Sequence, residues 1–250
     1  MARYVGVDWA SRGWLTVATD GDDWTASMHP SMHSVWLTYR DAAAILVDVP
    51  IGLPETRRRE CDRAAKAFLG DRSSSVFWTP CRAAVEAPTY EQARRANEDC
   101  RGDGLSSQAW GLIPRIQEVD RLLRDEVDAE TTILESHPEV CFTALHGGES
   151  LPSKHDEDGI EARRTVLEAV DDSIAGVYER FEATLIDGQP PWARRIGESN
   201  RDDLLDAMVL TLTAKYGAGG FRRFPEDPPL DAEGLPMQIV YTDRRAVSRR

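Results

Sequence analysis

The segment Ala44–Val49 constrains the fold of this chain more than any other, because five of its six residues are apolar and do not alternate with polar ones. Such a run predicts a strand covered on both faces, as in a parallel or mixed sheet. Two further strand-like segments, Tyr4–Asp8 and Trp14–Thr19, are joined by a short connection rich in small residues, as in a hairpin. Trp24–Met28 follows an Asp-Gly turn and predicts a third, edge strand.

Helical patterns dominate the rest of the chain. Between about residues 55 and 130 there is little strand signal, and we expect a helical insertion between two core strands. Thr131–Glu135 returns to a strand pattern, and Met237–Tyr241 is a further candidate strand. The predicted helices cover residues 33–40, 59–69, 89–100, 107–124, 138–147, 160–185 and 200–216, the last one capped by Asn200.

Together these patterns predict an α/β fold in which a mixed sheet is flanked by helices. A chain of 250 residues can bury one good core. We therefore expect a single domain over residues 1–220, with the helical insertion at about 55–130, and a C-terminal extension over residues 221–250.

The charge balance is unusual, because the formal net charge is -13 and only Lys66, Lys154 and Lys215 are lysines. We interpret this as a halophilic-type acidic surface, on which salt screens the repulsion between carboxylates. A chain without a basic pI needs local arginines or a metal to contact phosphate. No apolar run approaches ~20 residues and no secretory segment is evident, so we expect a cytoplasmic protein without a membrane partner.

Three predicted core strands carry a carboxylate at or near their ends, namely Asp8, Asp48 and Glu135. Leaving a carboxylate unpaired in an apolar environment costs several kcal/mol, so three such acids suggest a shared cation. Ligands of α/β sheets collect at the carboxyl ends of the strands, where these side chains are expected to converge.

The last predicted helix adds Asp203 and Asp206, which are three residues apart and share one face. The surroundings of Asp206 in the sequence are largely apolar, which favours a ligand over a solvated side chain. Carboxylate oxygens suit Mg²⁺ or Mn²⁺, and two such ions ~4 Å apart can support phosphodiester hydrolysis. These residues predict a metal-dependent nuclease.

Several motifs together resemble a known family. They are Val5-Gly6-Val7-Asp8, Val47-Asp48-Val49-Pro50-Ile51-Gly52-Leu53-Pro54, Arg59-Glu60-Cys61-Asp62-Arg63-Ala64-Ala65, residues 69–77, Pro80-Cys81-Arg82, residues 104–108, residues 116–120, Glu135-Ser136-His137-Pro138-Glu139-Val140 and Asp203-Leu204-Leu205-Asp206-Ala207. The chain is similar, roughly from Val5 to Ala214, to the predicted ribonuclease H-like nucleases classed as a domain of unknown function. Its closing Asp-x-x-Asp-Ala also resembles the end of Holliday-junction resolvases of the same fold.

The resemblance implies a ribonuclease H-like fold and an acidic site. Its members would be Asp8, Asp48, Glu135 and Asp206, with Asp203 as a fifth candidate. It leaves the substrate open.

Other polar residues in the similar segments are candidates for substrate binding. Arg72, Arg82, Gln108 and Lys154 are predicted to approach a substrate phosphate, with surface salt bridges as the alternative. Ser75, in a run of three serines, would bind an anion or belong to a flexible loop. His137 would orient a metal ligand or a water, or serve as a capping or core residue.

Two other function classes stay open at this point. A phosphate-binding ATPase or sugar kinase of the same superfamily would need two copies of the core, and the sequence has one. A non-catalytic binding protein would use the acidic cleft or the helical insertion as a docking surface. We expect a nucleic-acid partner of unknown type, and the oligomeric state stays open, a homodimer included.

Overall fold

The computed structural model describes residues 2–21, 23–154, 156–187 and 201–247. Its strands are β1 (Tyr4–Trp9), β2 (Trp14–Thr19), β3 (Trp24–His29), β4 (Ala44–Val47), β5 (Ile133–Glu135), β6 (Arg222–Phe224) and β7 (Ile239–Tyr241). Its α-helices are α1 (Met32–Tyr39), α2 (Glu60–Leu69), α3 (Arg82–Val85), α4 (Tyr90–Arg101), α5 (Ser107–Asp125), α6 (Val127–Thr132), α7 (Pro138–Leu145), α8 (Glu157–Val170), α9 (Val177–Glu182), α10 (Arg201–Gly217) and α11 (Arg244–Val247). Short 3-10 helices cover Gly70–Ser75 and Asp172–Ile174, and a π-helical turn covers Ala183–Asp187.

The five strands β1 to β5 form one mixed sheet in the order β3-β2-β1-β4-β5. β1 pairs antiparallel with β2 and parallel with β4, and β2 pairs antiparallel with β3 at the edge. All residues of β2 and β4 are buried, which agrees with their apolar sequences. The predicted α/β fold with a mixed, helix-flanked sheet is confirmed.

The chain packs as two compact units. The first comprises Met1–Asp48, Ser136–Arg222 and Tyr241–Arg250, and the second comprises Val49–Glu135 and Arg223–Val240. In the first unit α10 lies against β1, β2 and β4, and also contacts α7 and α8. The second unit contains α2 to α6, which follow β4 in the chain and precede β5, as expected for a helical insertion.

Gly6 allows α10 to approach β1 closely. A Cβ at this position would overlap the carbonyl oxygen of Ala207 and would lie 2.5 Å from the amide nitrogen of Thr211. The Thr211 hydroxyl accepts a hydrogen bond from the Gly6 amide at 3.0 Å and lies 2.8 Å from the carbonyl oxygens of both Val17 and Ala207. The helix is therefore fixed to the sheet by direct backbone contact.

The structure differs from the expected elements at their ends and over residues 160–185, where α8, a 3-10 helix, α9 and a π-helical turn take the place of one predicted helix. The predicted strand at Thr131–Glu135 begins only at Ile133, because Thr131 and Thr132 complete α6, where the Asp128 carbonyl accepts from the Thr131 hydroxyl. The predicted cap Asn200 lies outside the described residues. In the part of the chain that the structure describes, no helix combines the length and apolarity needed to cross a membrane.

Candidate functional site

Asp8 and Asp48 are brought together by the parallel pairing of β1 and β4. The register aligns Val7 with Val47, so the two aspartates occupy the next equivalent positions on adjacent strands. The Asp48 amide donates to the Val7 carbonyl at 3.1 Å and continues the pairing to the aspartates. Asp8 is buried, and its Oδ1 accepts a 2.6 Å hydrogen bond from the Trp9 amide.

The helix α10 places two more carboxylates beside Asp8. Side chains two residues apart share one face of a strand, so Asp8 points to the same face as Gly6, where α10 makes its closest approach. Asp203 precedes Ala207 by about one helical turn, and Asp206 is buried on the same helix. Burial raises the pKa of Asp8 well above its usual range, and the charges of Asp48, Asp203 and Asp206 raise it further.

Lys154 compensates part of this negative charge. Its Nζ lies 2.7 Å from Asp206 Oδ2 and 3.1 Å from Asp202 Oδ2. Burial raises the pKa of Asp206 to about 6 against the opposing effect of Lys154, and the two carboxylates raise the pKa of Lys154. The other oxygen of Asp206, Oδ1, is buried and accepts no hydrogen bond from the described residues. Lys154, predicted as a phosphate contact, here serves as the counter-ion of two aspartates.

The loop that carries Lys154 is held by a buried arginine. Arg163 on α8 is fully buried, and it donates to Glu139, to the Pro152 carbonyl of this loop at 2.9 Å and to the Gly159 carbonyl at 3.0 Å. Gly159 packs directly on the loop, because a Cβ there would overlap the Ser153 carbonyl group. The residue next to Lys154 is thus fixed by backbone contact with α8.

The surroundings of Asp48 include His137 and Glu139. Burial raises the pKa of Asp48, His137 and Lys154 oppose this shift, and the charge of Glu139 adds to it. His137 precedes α7 and caps it without a side-chain hydrogen bond to the helix. The charge of His137 lowers the pKa of Asp48, and its predicted role in orienting a metal ligand or a water stays a prediction.

Glu135 belongs to the second unit, and its environment differs from that of the aspartates. Its Oε1 and Oε2 each accept a 2.7 Å hydrogen bond from Arg59, and Oε2 also accepts from the Ile51 amide at 2.6 Å. Arg59 pairs with Asp62 as well, at 2.6 Å, and all three side chains are buried. The buried Arg59 therefore neutralises Glu135, so this carboxylate at the end of β5 needs no metal ion to be buried.

The remaining predicted substrate-binding residues lie in the second unit. Arg82 is buried and pairs with Asp120 and Asp231, at 3.1 and 2.6 Å. The Ser75 hydroxyl donates to the Arg72 carbonyl within the 3-10 helix Gly70–Ser75, and Gln108 is exposed at the start of α5. Of the predicted substrate-binding residues, His137 and Lys154 are the two that the structure places with the aspartates of the first unit.

Three residues near the site were not predicted. Asp202 lies four residues before Asp206 and therefore on the same face of α10, a spacing that could have identified it. Glu139 is in the first turn of α7, where acids are common, and Arg163 has no sequence pattern that separates it from surface arginines.

The carboxylate oxygens of the aspartates are ligands that suit a hard divalent cation, but their side chains are not arranged in the geometry of a bound metal. Within residues 2–21, 23–154, 156–187 and 201–247, no group of three or more His, Cys, Asp or Glu side chains is placed to hold a metal ion. Magnesium commonly uses only one or two protein carboxylates, together with water and substrate phosphate. Asp206 Oδ1 has no hydrogen-bond donor among the described residues, and the raised pKa of Asp8 indicates that Lys154 only partly compensates the negative charge around it.

Comparison with known proteins gives one family match, which spans both compact units. A family model described as "Protein of unknown function (DUF429)" matches residues 6–230, a range that includes all the aspartates of the site. No curated protein and no solved structure gives a significant match. Because the family model covers most of its length, the chain belongs to the DUF429 family.

Proposed function

We propose that this protein is a divalent-metal-dependent nuclease with a ribonuclease H-like fold, and that Asp8, Asp48 and Asp206 are its metal-binding residues, with Asp203 beside them. One observation carries the proposal. Asp8 and Asp48 lie side by side at the ends of the parallel strands β1 and β4, and α10, which packs against these strands, adds the buried Asp206. A stable fold has no structural need for such a cluster of carboxylates, which raise one another's pKa.

The chemistry of the donors supports Mg²⁺ or Mn²⁺. The cluster offers only oxygen ligands, which these ions prefer, and Asp206 Oδ1 has an unused acceptor site. When bound, such a metal lowers the pKa of a water and neutralises charge on phosphate oxygens. Glu135, which the sequence suggested as a fourth ligand, is outside the proposed set, because both of its oxygens accept hydrogen bonds from Arg59.

The protein's own residues would act mainly by positioning and charge. The Trp9 amide fixes one oxygen of Asp8, which leaves Oδ2 for a ligand. Lys154 keeps a proton on Nζ and holds Asp202 and Asp206 close together in the absence of other cations. Because Lys154 already neutralises part of the cluster, the site can assemble before substrate and metal arrive.

The same lysine favours a second candidate function, a non-catalytic binding protein on this fold. An ammonium group that bridges Asp202 and Asp206 can serve as a permanent counter-ion, and a cluster stabilised in this way needs no metal. The two candidates differ in whether the aspartates are required for phosphodiester cleavage.

A cleavage screen distinguishes them. Single-stranded, duplex and junction substrates of DNA and RNA are incubated with the protein in Mg²⁺ or Mn²⁺, at low and at high salt. We expect cleavage by the wild type, and its loss in Asp8→Asn and Asp206→Asn while their circular dichroism spectra stay unchanged. Asp99→Asn, which removes the same charge from an exposed position on α4, is the matched control and should retain activity. Absence of cleavage of every substrate with either metal would refute the nuclease proposal.

A further inference from the structure

The second unit carries a basic face that the proposed function has not used. We define it as Arg57, Arg58, Arg63, Lys66 and Arg72, which lie within 21 residues of Trp78 in the sequence, and two of which, Arg58 and Lys66, lie over its ring. Residues 57–82 contain seven Lys or Arg against three Asp or Glu, in a chain with a net charge of -13. This segment is therefore positively charged, although the protein as a whole is negatively charged.

Trp78 is the aromatic centre of the basic face. The Arg58 guanidinium carbon lies 4.1 Å from its ring centroid, and Lys66 Nζ lies 4.9 Å from the same centroid. Lys66 also donates to the Ser73 carbonyl at 2.7 Å, which holds the serine-rich 3-10 helix next to the lysine. The indole is partly exposed, as are Lys66 and Arg72, while Arg57, Arg58 and Arg63 are exposed.

The cations of the basic face are poorly neutralised. Among the described residues, Arg57, Arg63, Lys66 and Arg72 form no ion pair with a carboxylate, and Arg58 has one surface pair with Asp103 at 2.9 Å. A surface pair of this kind contributes little. Burial lowers the pKa of Lys66, the charge of Asp62 opposes this shift, and the nearby charge of Arg58 adds to it, as expected for like charges held close together.

The contrast with other arginines of the same unit is clear. Arg59, Arg82 and Arg101 each form ion pairs with at least one aspartate, and their guanidinium groups are largely buried. Within the part of the chain that the structure describes, the structural arginines are thus paired with acids, whereas four of the five cations of the basic face form no ion pair and Arg58 has only a surface pair. A polyanion would relieve their mutual repulsion and release counter-ions.

We infer that the basic face binds a nucleic-acid strand with unpaired nucleotides, whose phosphates contact the cations while a base stacks on Trp78. The inference rests on the proposed function and names its substrate class, because only a strand with unstacked bases presents a base face to an indole. Aromatic stacking and cationic contacts along the backbone are the usual elements of single-strand binding.

The test measures binding without metal, so that it does not depend on the acidic site. Fluorescein-labelled single-stranded DNA, single-stranded RNA and the corresponding DNA duplex are titrated with the full-length protein in EDTA, and anisotropy is recorded at several salt concentrations. We expect at least one single strand to bind about tenfold or more tighter than the duplex. Trp78→Ala should weaken that binding about 5- to 100-fold, and Trp78→Phe should retain most of it.

Charge variants test the phosphate contacts. Arg63→Gln and Lys66→Gln should each reduce the slope of log affinity against log salt by about 0.7. Arg121→Gln is the matched control, because Arg121 is an exposed cation of α5 outside the basic face, and its slope should equal that of the wild type. Equal binding of single strands and duplex, or wild-type affinity in Trp78→Ala and Lys66→Gln, would overturn the inference.

The failure of this inference and that of the proposed function can be told apart. If the wild type cleaves nucleic acid with Mn²⁺ and the variants of the basic face bind and cleave like the wild type, the inference is wrong and the nuclease proposal stands. If single strands bind through Trp78 but no substrate is cleaved, the inference stands and the nuclease proposal fails.

Discussion

The contact between Gly6 and α10 gives the sharpest stability prediction. In Gly6→Ala the new Cβ would lie 2.5 Å from the Thr211 amide nitrogen and 2.8 Å from the Leu210 Cβ, and it would overlap the Ala207 carbonyl oxygen. Two of these three neighbours are backbone atoms and cannot rotate away, so the helix must move. Added methyl groups in a well-packed core cost about 1–3 kcal/mol, and rigid neighbours favour the upper end of that range.

An opposing effect must be subtracted. Replacing glycine by alanine reduces the entropy of the unfolded chain, which stabilises the folded state by about 0.4–1 kcal/mol. We therefore expect a net loss of about 2 kcal/mol in the free energy of unfolding. For a chain of this size each kcal/mol shifts Tm by about 2–4 °C, so Tm should fall by about 4–8 °C.

The assay is urea unfolding at neutral pH, followed by circular dichroism, with Gly111→Ala as the control. Gly111 lies inside α5, and a Cβ there meets nothing within 4 Å, so helix propensity alone predicts a gain of about 0.5–1 kcal/mol. Because the helix carries Asp203 and Asp206, Gly6→Ala should also lower any metal-dependent cleavage at temperatures where it is folded. If Gly6→Ala is as stable as the wild type, or if both variants shift in the same direction, the close approach of α10 to β1 is wrong.

Three further predictions concern the acidic site. In EDTA, Asp8→Asn should be more stable than the wild type at pH 8 and about equally stable near pH 4. The pKa of Asp8 is raised in the folded state, so the ionisation of Asp8 destabilises the folded wild type as pH rises. A loss of stability in Asp8→Asn at pH 8 would contradict this. Lys154→Met should lose stability relative to the wild type as pH rises through about 6, the pKa of Asp206 beside Lys154, because the ionised Asp206 then lacks the counter-ion that lowers its pKa; a pH-independent difference would contradict this. Mn²⁺ at a hundredfold excess over its Kd should stabilise the wild type by about 2.7 kcal/mol and Asp8→Asn by less, and equal Tm shifts at fixed ionic strength would count against a metal site.

The sequence predicted the core of the fold well, because its strongest patterns are local. The apolar run at Ala44–Val49 predicted a strand buried on both faces, and the segment after Gly13 predicted the second strand of a hairpin. The predicted strand includes the two threonines before Ile133, and as β-branched residues they do favour strands. In the structure they complete α6, so the bonding of one helical turn outweighs that preference.

The site was predicted only in part, because its ion pairs join distant parts of the chain. Asp8 and Asp48 could be identified from their places at strand ends, and Asp206 from its apolar surroundings. Glu135 carried the same signal, but its partner Arg59 lies 76 residues away and no local pattern reveals it. Lys154 lies 52 residues from its partner Asp206, so no local pattern shows that Lys154 forms an ion pair with an aspartate of the site.

The distribution of lysine gives these charges a common explanation. Of the 30 Lys and Arg residues only three are lysines, and each of them is partly buried with specific contacts. Lys154 bridges two aspartates, Lys215 contacts Asp171 at 2.6 Å and the Gly21 carbonyl at 3.1 Å, and Lys66 lies between Trp78 and the Ser73 carbonyl. Each position needs a compact ammonium group on a flexible stem that can donate in several directions, whereas the planar guanidinium of arginine donates in a fixed fork. We interpret the three lysines as positions that use this geometry, an interpretation that agrees with the roles proposed for Lys154 in the acidic site and for Lys66 in the basic face.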